Sequence, residues 1–195
     1  VAGIIFIGGI KRIARVTEKV VPLMAFLYII GCVIILCMNP AGLVEAFKNI
    51  FIGAFSPQSV GGGLLGVTVQ KAMRFGVARG LFSNEAGMGS TPHAHATADV
   101  KHPCDQGIIA MIGVFIDTFV VLTMTALVVI STLYVGDGVL ASGSAEGVTK
   151  ANMAQLAFGS VFGEKIGNGF VAVCLFFFAF STIIGWNLFG KVNMV

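Results

Sequence analysis

The sequence predicts an all-α, polytopic membrane protein, a bundle of helices in which one helix is broken. Of its 195 residues, 56% are hydrophobic and 11% charged, and the mean hydropathy is +0.95. Soluble domains carry about a quarter charged residues. Three nearly uncharged windows, 20–38, 107–134 and 167–190, are each near or above the ~20 residues that cross a bilayer core. The stretch 80–92 combines glycines and a proline that an unbroken helix does not accommodate.

The first part of the chain is predicted to contain two helices joined by a basic loop. Residues 1–10 form the end of one membrane helix, and 11–19 form a short loop with four basic residues and one acidic residue. By the positive-inside rule this loop is cytoplasmic. Pro22 then falls in the first turn of the next helix, 20–38, which crosses outward. Because the chain begins inside an apolar run without a signal-type segment, we interpret it as an internal piece of a longer protein.

The next segment, 39–66, is predicted to lie outside as a short interfacial helix and a loop, with a proline- and glycine-rich break at 57–63. Residues 67–82 are the least apolar of the membrane candidates. Lys71 and Arg74 share one face of this helix. A lipid-exposed helix would not carry such a basic face, so this helix is expected to line a water-filled vestibule entered from outside.

The break itself reads as half-helix, unwound segment, half-helix. Glycines between residues 80 and 89 give access to non-helical conformations, and Pro92 suits the first turn of a second half-helix, 92–100, capped by Thr91. We expect the unwound segment near the membrane midplane. There its unpaired N–H and C=O groups need packed protein, or a bound polar ligand and ion. Taken alone, the stretch is equally compatible with an aqueous loop.

The span 107–134 returns outward and carries one formal charge, Asp117, close to the middle of the bilayer core. Small and polar residues accompany it on one face: Ala110, Gly113 and Thr125. Bulky apolar residues are assigned to the lipid-facing side: Phe115, Phe119, Leu122, Val129 and Leu133. Asp117 is therefore expected to point into the bundle, either as a hydrogen-bond hub or as an ion ligand.

The C-terminal part is predicted as an external segment, 135–166, with a short helix at 150–158, followed by a span at 167–190 that crosses inward. Ser181 and Thr182 lie on one side of this span. Their hydroxyls are able to complete an ion site, or simply to bond the backbone four residues back. Trp186 is either an interfacial anchor or the wall of a small substrate pocket.

Ser83, Asn84 and the free backbone groups of the break suit a zwitterion of amino-acid size and a dehydrated sodium ion. Glu85 is a costly carboxylate at that depth. It either orders the unwound backbone or receives a proton. His93 and His95 are two residues apart and point in different directions on a helix, so they are not predicted to share a metal.

A set of short motifs runs over nearly the whole chain. They are GGIKRI at 8–13, VPLMA at 21–25, GLFSNEAGMGS at 80–90, HP at 102–103, QG at 106–107, FIDT at 115–118, FAFST at 178–182 and GW at 185–186. Together they resemble the sodium:alanine (amino acid:cation) symporter family of prokaryotes. The resemblance implies a leucine-transporter-type fold, made of two inverted five-helix repeats in which the first helix of each repeat is broken at the site.

On that resemblance the chain runs from the end of the fourth helix to the eighth, with the broken sixth helix at 67–82 and 92–100. The fifth, seventh and eighth helices are then 20–38, 107–134 and 167–190. The resemblance implies that Phe82, Ser83, Asn84 and Gly87 line the amino-acid site, that Trp186 forms its wall, and that Ser181 and Thr182 bind sodium. Because the first broken helix lies outside this chain, the chain alone is not expected to transport.

The expected function is sodium-coupled symport of a small neutral amino acid, alanine or glycine, across the prokaryotic plasma (inner) membrane. Sodium is the coupling ion, no other cofactor is implied, and neither an enzymatic activity nor nucleic-acid binding is expected. One alternative is a proton-coupled amino-acid transporter that uses Glu85 or Asp117. An intramembrane enzyme and a channel are further alternatives.

Overall fold

The computed structural model describes residues 3, 9–55, 63–136, 138–141, 147–149 and 152–194. Within these ranges the chain is all-helical, which confirms the predicted fold class. The predicted helix end at 1–10 and the break at 57–63 lie largely outside them. The helices are α1 (Gly9–Met38), α2 (Pro40–Phe55), α3 (Gly63–Ser83), α4 (Ser90–His95), α5 (Pro103–Tyr134), α6 (Met153–Phe162) and α7 (Glu164–Asn193).

Helix α1 is continuous, so the prediction of a loop at 11–19 is wrong. This segment consists largely of residues with adequate helix propensity. The side chains of Arg12 and Arg15 are exposed, while Ile13 is 2% exposed and packs against Ile184 of α7. The segment therefore gains a buried apolar contact by staying helical. Pro22 consequently lies inside the helix rather than in its first turn.

Asn39 lies between α1 and α2 and caps the start of α2. The Oδ1 atom of Asn39 accepts a hydrogen bond from the backbone N–H of Gly42 at 3.0 Å, which satisfies a free donor in the first turn of α2. Its Nδ2 atom donates to the carbonyl of Ser131 in α5 at 3.2 Å. One side chain thus fixes the positions of α1, α2 and α5 relative to one another.

The core lies where α1, α5, α6 and α7 meet. Its fully buried side chains include Ile35, Val128 and Phe158, which are at most 1% exposed. The ring of Phe158 stacks on that of Phe170 with centroids 5.3 Å apart. Gly31 of α1 lies against Phe170 so closely that an added Cβ would come within 2.5 Å of the ring. The small residue allows α1 and α7 to approach.

Helix α5 contains two π-helical stretches, Ile116–Leu122 and Ile130–Tyr134, which the periodicity did not predict. A π-helix uses i→i+5 hydrogen bonds, so residues beyond it are rotated away from the faces that an α-helix would give them. Leu133 was assigned to the lipid-facing side, but it is 1% exposed in the core. The predicted inward direction of Thr125 is confirmed, because its hydroxyl lies 2.8 Å from that of Tyr28.

The ends of several helices differ from the predicted bounds. α5 begins at Pro103 rather than at 107, after His102, whose ring Nδ1 accepts from the N–H of Cys104 at 3.2 Å. α7 starts at Glu164 after Gly163, which has a φ of 83°. In the same way, α3 covers 63–83 rather than 67–82, and the external helix is Met153–Phe162 rather than 150–158.

Among the described residues, three helical segments are long and apolar enough to cross a membrane: Arg12–Met38, Pro103–Tyr134 and Glu164–Lys191. They correspond to the three windows predicted from hydropathy. Helix α3 is not among them, in keeping with its mixed composition. The candidate site lies in the residues between α3 and α4.

Candidate functional site: the interruption between α3 and α4

The predicted break is confirmed: α3 ends at Ser83, residues 84–89 form turns, and α4 begins at Ser90. The end of α3 is a Schellman motif. The N–H of Ala86 donates to the carbonyl of Leu81 at 2.9 Å, and the N–H of Glu85 donates to that of Phe82 at 3.1 Å. These bonds satisfy two carbonyls at the helix end, so the chain leaves the helix in a fixed direction.

Glu85 occupies the left-handed position of this motif, with a φ of 51°. Glycine is the usual residue there, because a side chain in this conformation costs about 1–2 kcal/mol. Two hydroxyls bind the Glu85 carboxylate: Ser90 Oγ at 2.8 Å and Thr91 Oγ1 at 3.0 Å, both donating to Oε2. The side chain therefore ties the end of α3 to the start of α4 and offsets the backbone strain.

Two predictions about the second half-helix are wrong. Gly89, with a φ of 79°, precedes the helix, and the Thr91 hydroxyl binds Glu85 instead of capping the backbone. Helix α4 ends at His95, so the predicted extent 92–100 is too long. The Thr97 hydroxyl donates to the carbonyl of Ala94 at 2.8 Å, a local bond that competes with a continued helix.

One side of the interruption is linked to the first π-helical stretch of α5. Ser83 Oγ donates to Asp117 Oδ2 at 2.7 Å, and Thr118 Oγ1 donates to Asn84 Oδ1 at 3.0 Å. Asp117 therefore points into the bundle, as predicted, and binds a neighbouring helix. The two hydrogen bonds lie side by side, because consecutive residues of α5 bind the last residue of α3 and the first residue of the break.

The direction of these bonds decides which polar atoms stay available. An asparagine amide nitrogen only donates, and a carboxylate oxygen only accepts. Asn84 Nδ2 and Asp117 Oδ1 have no partner in the part of the chain that the structure describes. A free donor on Asn84 and a free carboxylate oxygen on Asp117 thus belong to one cluster, formed by two neighbouring hydrogen bonds.

The other side of the interruption opens on a cavity of about 230 Å³ between α1 and α7. Its wall is formed by Thr17, Val21, Glu85, Ser181, Thr182, Gly185, Trp186 and Phe189. The hydroxyls of Ser181 and Thr182 each donate to the carbonyl of Phe178 at 2.9 Å. Their donor hydrogens are thereby committed, while oxygen lone pairs remain to accept or to bind a cation.

The predicted site residues that the structure brings together fall into two groups, one bound to α5 and one lining the cavity between α1 and α7. Ser83, Asn84 and Asp117 form the cluster with α5, whereas the predicted sodium ligands and Trp186 share the α7 cavity with Glu85. Phe82 is 60% exposed and does not line that cavity, nor does Gly87, whose φ of 77° shapes the turn.

Thr17 of α1 is a cavity residue that sequence reasoning missed. Its hydroxyl donates to the carbonyl of Ile13 at 3.0 Å, which leaves the oxygen lone pairs free, as in Ser181 and Thr182. Thr17 was not identified from the sequence, because 11–19 was assigned to a loop. Extending the 3.6-residue period upstream from residue 20 would have placed Thr17 on the same face as Val21.

Comparison with known proteins identifies the group to which these features belong. The model of the sodium:alanine symporter family matches residues 1–195. An uncharacterized transporter of Haemophilus influenzae is 43% identical over 97% of this chain and 40% of its own length. A sodium/alanine symporter of Methanococcus maripaludis is 38% identical, over 96% of this chain and 39% of its own length.

A sodium/proton-dependent alanine carrier protein of a Bacillus species is 36% identical, over 100% of this chain and 44% of its own length. The chain therefore spans about two fifths of the length of the curated relatives that it matches.

Proposed function

This chain belongs to the sodium:alanine symporter family, and on that premise we propose that it is part of a sodium-coupled symporter of a small neutral amino acid, alanine or glycine. The family consists of transporters and not of enzymes. The chain spans about two fifths of the length of its relatives, so the proposal concerns the activity of the full-length protein.

The observation that carries the proposal is the interruption at 84–89, which presents polar groups on two sides. Unwound backbone between two half-helices is tolerated inside a membrane where it lines a cavity or binds a polar solute. Here one side meets Asp117 and Thr118 in α5, and the other meets the hydroxyls of α7. Such an arrangement supports a binding site in which substrate and ion are held by one segment.

The cluster with α5 supports a zwitterionic substrate. A free amino acid has a carboxylate that needs donors and an ammonium group that needs acceptors. Asn84 Nδ2 supplies a donor and Asp117 Oδ1 an anionic acceptor. We propose Phe82, Ser83 and Gly87 as further substrate-binding residues, and Trp186, which lines the cavity between α1 and α7, as a wall of the pocket.

The cavity on the other side supports a site for the coupling ion. Sodium, like other hard cations, prefers oxygen ligands. The oxygens of Ser181 and Thr182 face one cavity and have lone pairs available. We therefore propose these residues as sodium ligands, with sodium as the transported ion rather than a resident cofactor.

The proposed transport cycle uses the position of the two groups on one interrupted segment. Sodium would stabilise the interrupted helix in an outward-open form, and the amino acid would then close the vestibule. Rocking of one helix bundle would release both solutes inside. In this scheme, α1, the α3–α4 pair, α5 and α7 are the fifth to eighth helices of the transporter, in the plasma membrane of a prokaryote.

Proton coupling is a second candidate, and one observation favours it. A relative from another Bacillus species is named a sodium/proton-dependent alanine carrier protein, and one from Bacillus subtilis is named a putative carrier of the same kind. Glu85 lies in the interruption and Asp117 of α5 accepts a hydrogen bond from Ser83 beside it, so either carboxylate is placed to carry the proton. Uptake that requires sodium and does not respond to a proton gradient would exclude this candidate.

The test is uptake of labelled alanine into proteoliposomes that contain the full-length protein, with and without a sodium gradient. We expect accumulation with sodium and at least a tenfold loss in Asn84→Ala, because a hydrogen-bond donor to the substrate is removed. Asn49→Ala, at an exposed position of α2, is the matched control and should transport normally. Sodium-independent accumulation would contradict the proposal.

A further inference from the structure

The cavity between α1 and α7 has one charged side chain on its wall. Among the described residues that line it, Glu85 is ionisable, and the others are hydroxyl, apolar or aromatic residues and a glycine. No described Lys or Arg side chain forms part of this wall. The start of the short helix α4 supplies a partial positive charge, which compensates at most half of the carboxylate.

The two hydrogen bonds of Glu85 reach only one of its carboxylate oxygens. Both Ser90 and Thr91 donate to Oε2, and Oε1 has no partner among the described residues. Holding α3 to α4 requires only an acceptor at Oε2, for which a neutral glutamine would serve. The negative charge is therefore not explained by the link between the two half-helices.

An unpaired charge on Glu85 is energetically unfavourable because of where the cavity lies. Ser181 lies inside the membrane-span candidate Glu164–Lys191, about 15 Å along α7 from Lys191. The α7 side of the cavity therefore lies within an apolar span. An ionised carboxylate at that depth needs a counter-charge.

The residues that line the cavity favour a hard, monovalent cation as the counter-charge. One carboxylate and the hydroxyls of Thr17, Ser181 and Thr182 form an all-oxygen set, which suits a hard cation. A single negative charge matches a monovalent ion, whereas calcium sites use several carboxylates. The hydroxyl hydrogens of Thr17, Ser181 and Thr182 donate to backbone carbonyls, so these three groups present oxygen lone pairs to the cavity.

We infer that Glu85 is the charged ligand of the coupling sodium ion, with Oε1 directed to the ion and Oε2 held by Ser90 and Thr91. Thr17 adds a hydroxyl from α1 to those of Ser181 and Thr182. This inference rests on the proposed sodium coupling and specifies its site. Because Glu85 lies in the interruption, binding of the ion to it fixes this segment, and the preceding residue, Asn84, belongs to the substrate cluster.

The experiment measures sodium binding apart from transport. The melting temperature of the purified full-length protein is followed against sodium chloride, with choline chloride keeping the ionic strength constant. Three proteins are compared: wild type, Glu85→Gln and Glu164→Gln. Glutamine at 85 retains an acceptor for both hydroxyls and removes only the charge. Glu164 is an exposed carboxylate at the start of α7, outside the cavity, so its variant controls for a change of charge elsewhere.

We expect Glu85→Gln to fold and to raise the half-saturating sodium concentration at least about tenfold, while Glu164→Gln behaves as wild type. An unchanged sodium response in Glu85→Gln overturns the inference and leaves sodium coupling intact. A loss confined to alanine affinity, at an unchanged sodium response, would assign the carboxylate to the substrate ammonium and also overturn it. If the wild-type protein shows neither a sodium response nor sodium-dependent uptake, the proposed function fails as well.

Should Glu85→Gln not fold, Glu85→Asp provides the test. Aspartate keeps the charge but withdraws the oxygens by one methylene. We then expect sodium to remain stabilising with a several-fold higher half-saturating concentration. A wild-type value in Glu85→Asp would contradict direct ligation.

Discussion

The hydrogen bond between Ser83 and Asp117 connects the interruption to α5, and its strength can be measured by a double-mutant cycle. Ser83→Ala and Asp117→Ala each remove one partner. A hydrogen bond to a charged group contributes about 1.5–3 kcal/mol. The bond is short, at 2.7 Å, but Ser83 is exposed in this chain and Asp117 is half-buried, so solvent screening favours the lower end. We predict a coupling free energy of about 1.5 kcal/mol.

The assay is the free energy of unfolding of the full-length protein in detergent micelles, determined for wild type, both single variants and the double variant. A matched cycle of Ser83→Ala with Asp105→Ala uses an exposed carboxylate at the start of the same helix. That cycle should be additive to within about 0.5 kcal/mol. If the Ser83–Asp117 cycle is equally additive, the two residues are not coupled, and the link between break and α5 is refuted.

Two further predictions concern packing and capping. Gly31→Ala should destabilise the protein by about 1–3 kcal/mol, because the added methyl group meets the ring of Phe170. Gly76→Ala, in open space on α3, should instead stabilise by about 0.5–1 kcal/mol; thermal unfolding of both variants checks this, and equal signs would contradict it. Asn39→Ala should cost about 1–2 kcal/mol, since the cap of α2 and the bond to Ser131 are lost together. A stability within about 0.3 kcal/mol of wild type would show that this corner does not depend on the side chain.

The interruption could be predicted from the sequence because it is caused by glycine and proline residues within the segment itself. Glycines at 87 and 89 adopt positive φ values, and the helix resumes close to where Pro92 suggested. The inward direction of Asp117 also followed from the faces of its own helix. Both features depend on backbone conformation and on the period of one helix, which a sequence displays directly.

The features that the sequence did not reveal depend on contacts between distant segments. Whether 11–19 is a loop or a helix is decided by Ile13 packing on Ile184, which lies at the far end of the chain. The left-handed conformation of Glu85 is tolerated because Ser90 and Thr91 bind its carboxylate after the chain has turned. A period of 3.6 residues carries no sign of either contact.

The π-helical stretches of α5 explain a second class of error. Assigning faces with a constant period puts Leu133 on the lipid side, yet it lies in the core. The change of period begins at Ile116, next to the residue that bonds the interruption. The resulting shift accumulates along the helix, so positions near Asp117 were assigned correctly and positions near the end of α5 were not.

The central claim is that residues 84–89 form an interruption that receives ligands, and hydrogen–deuterium exchange tests it most directly. The N–H groups of Gly87 and Gly89 have no acceptor in the described part of the chain, whereas those of α3 are bonded within the helix. In the full-length protein, peptides covering 84–89 should exchange faster than the interior of α3 and become protected when alanine and sodium are added together. Exchange as slow as that of α3, or unchanged by the two solutes, would contradict the account.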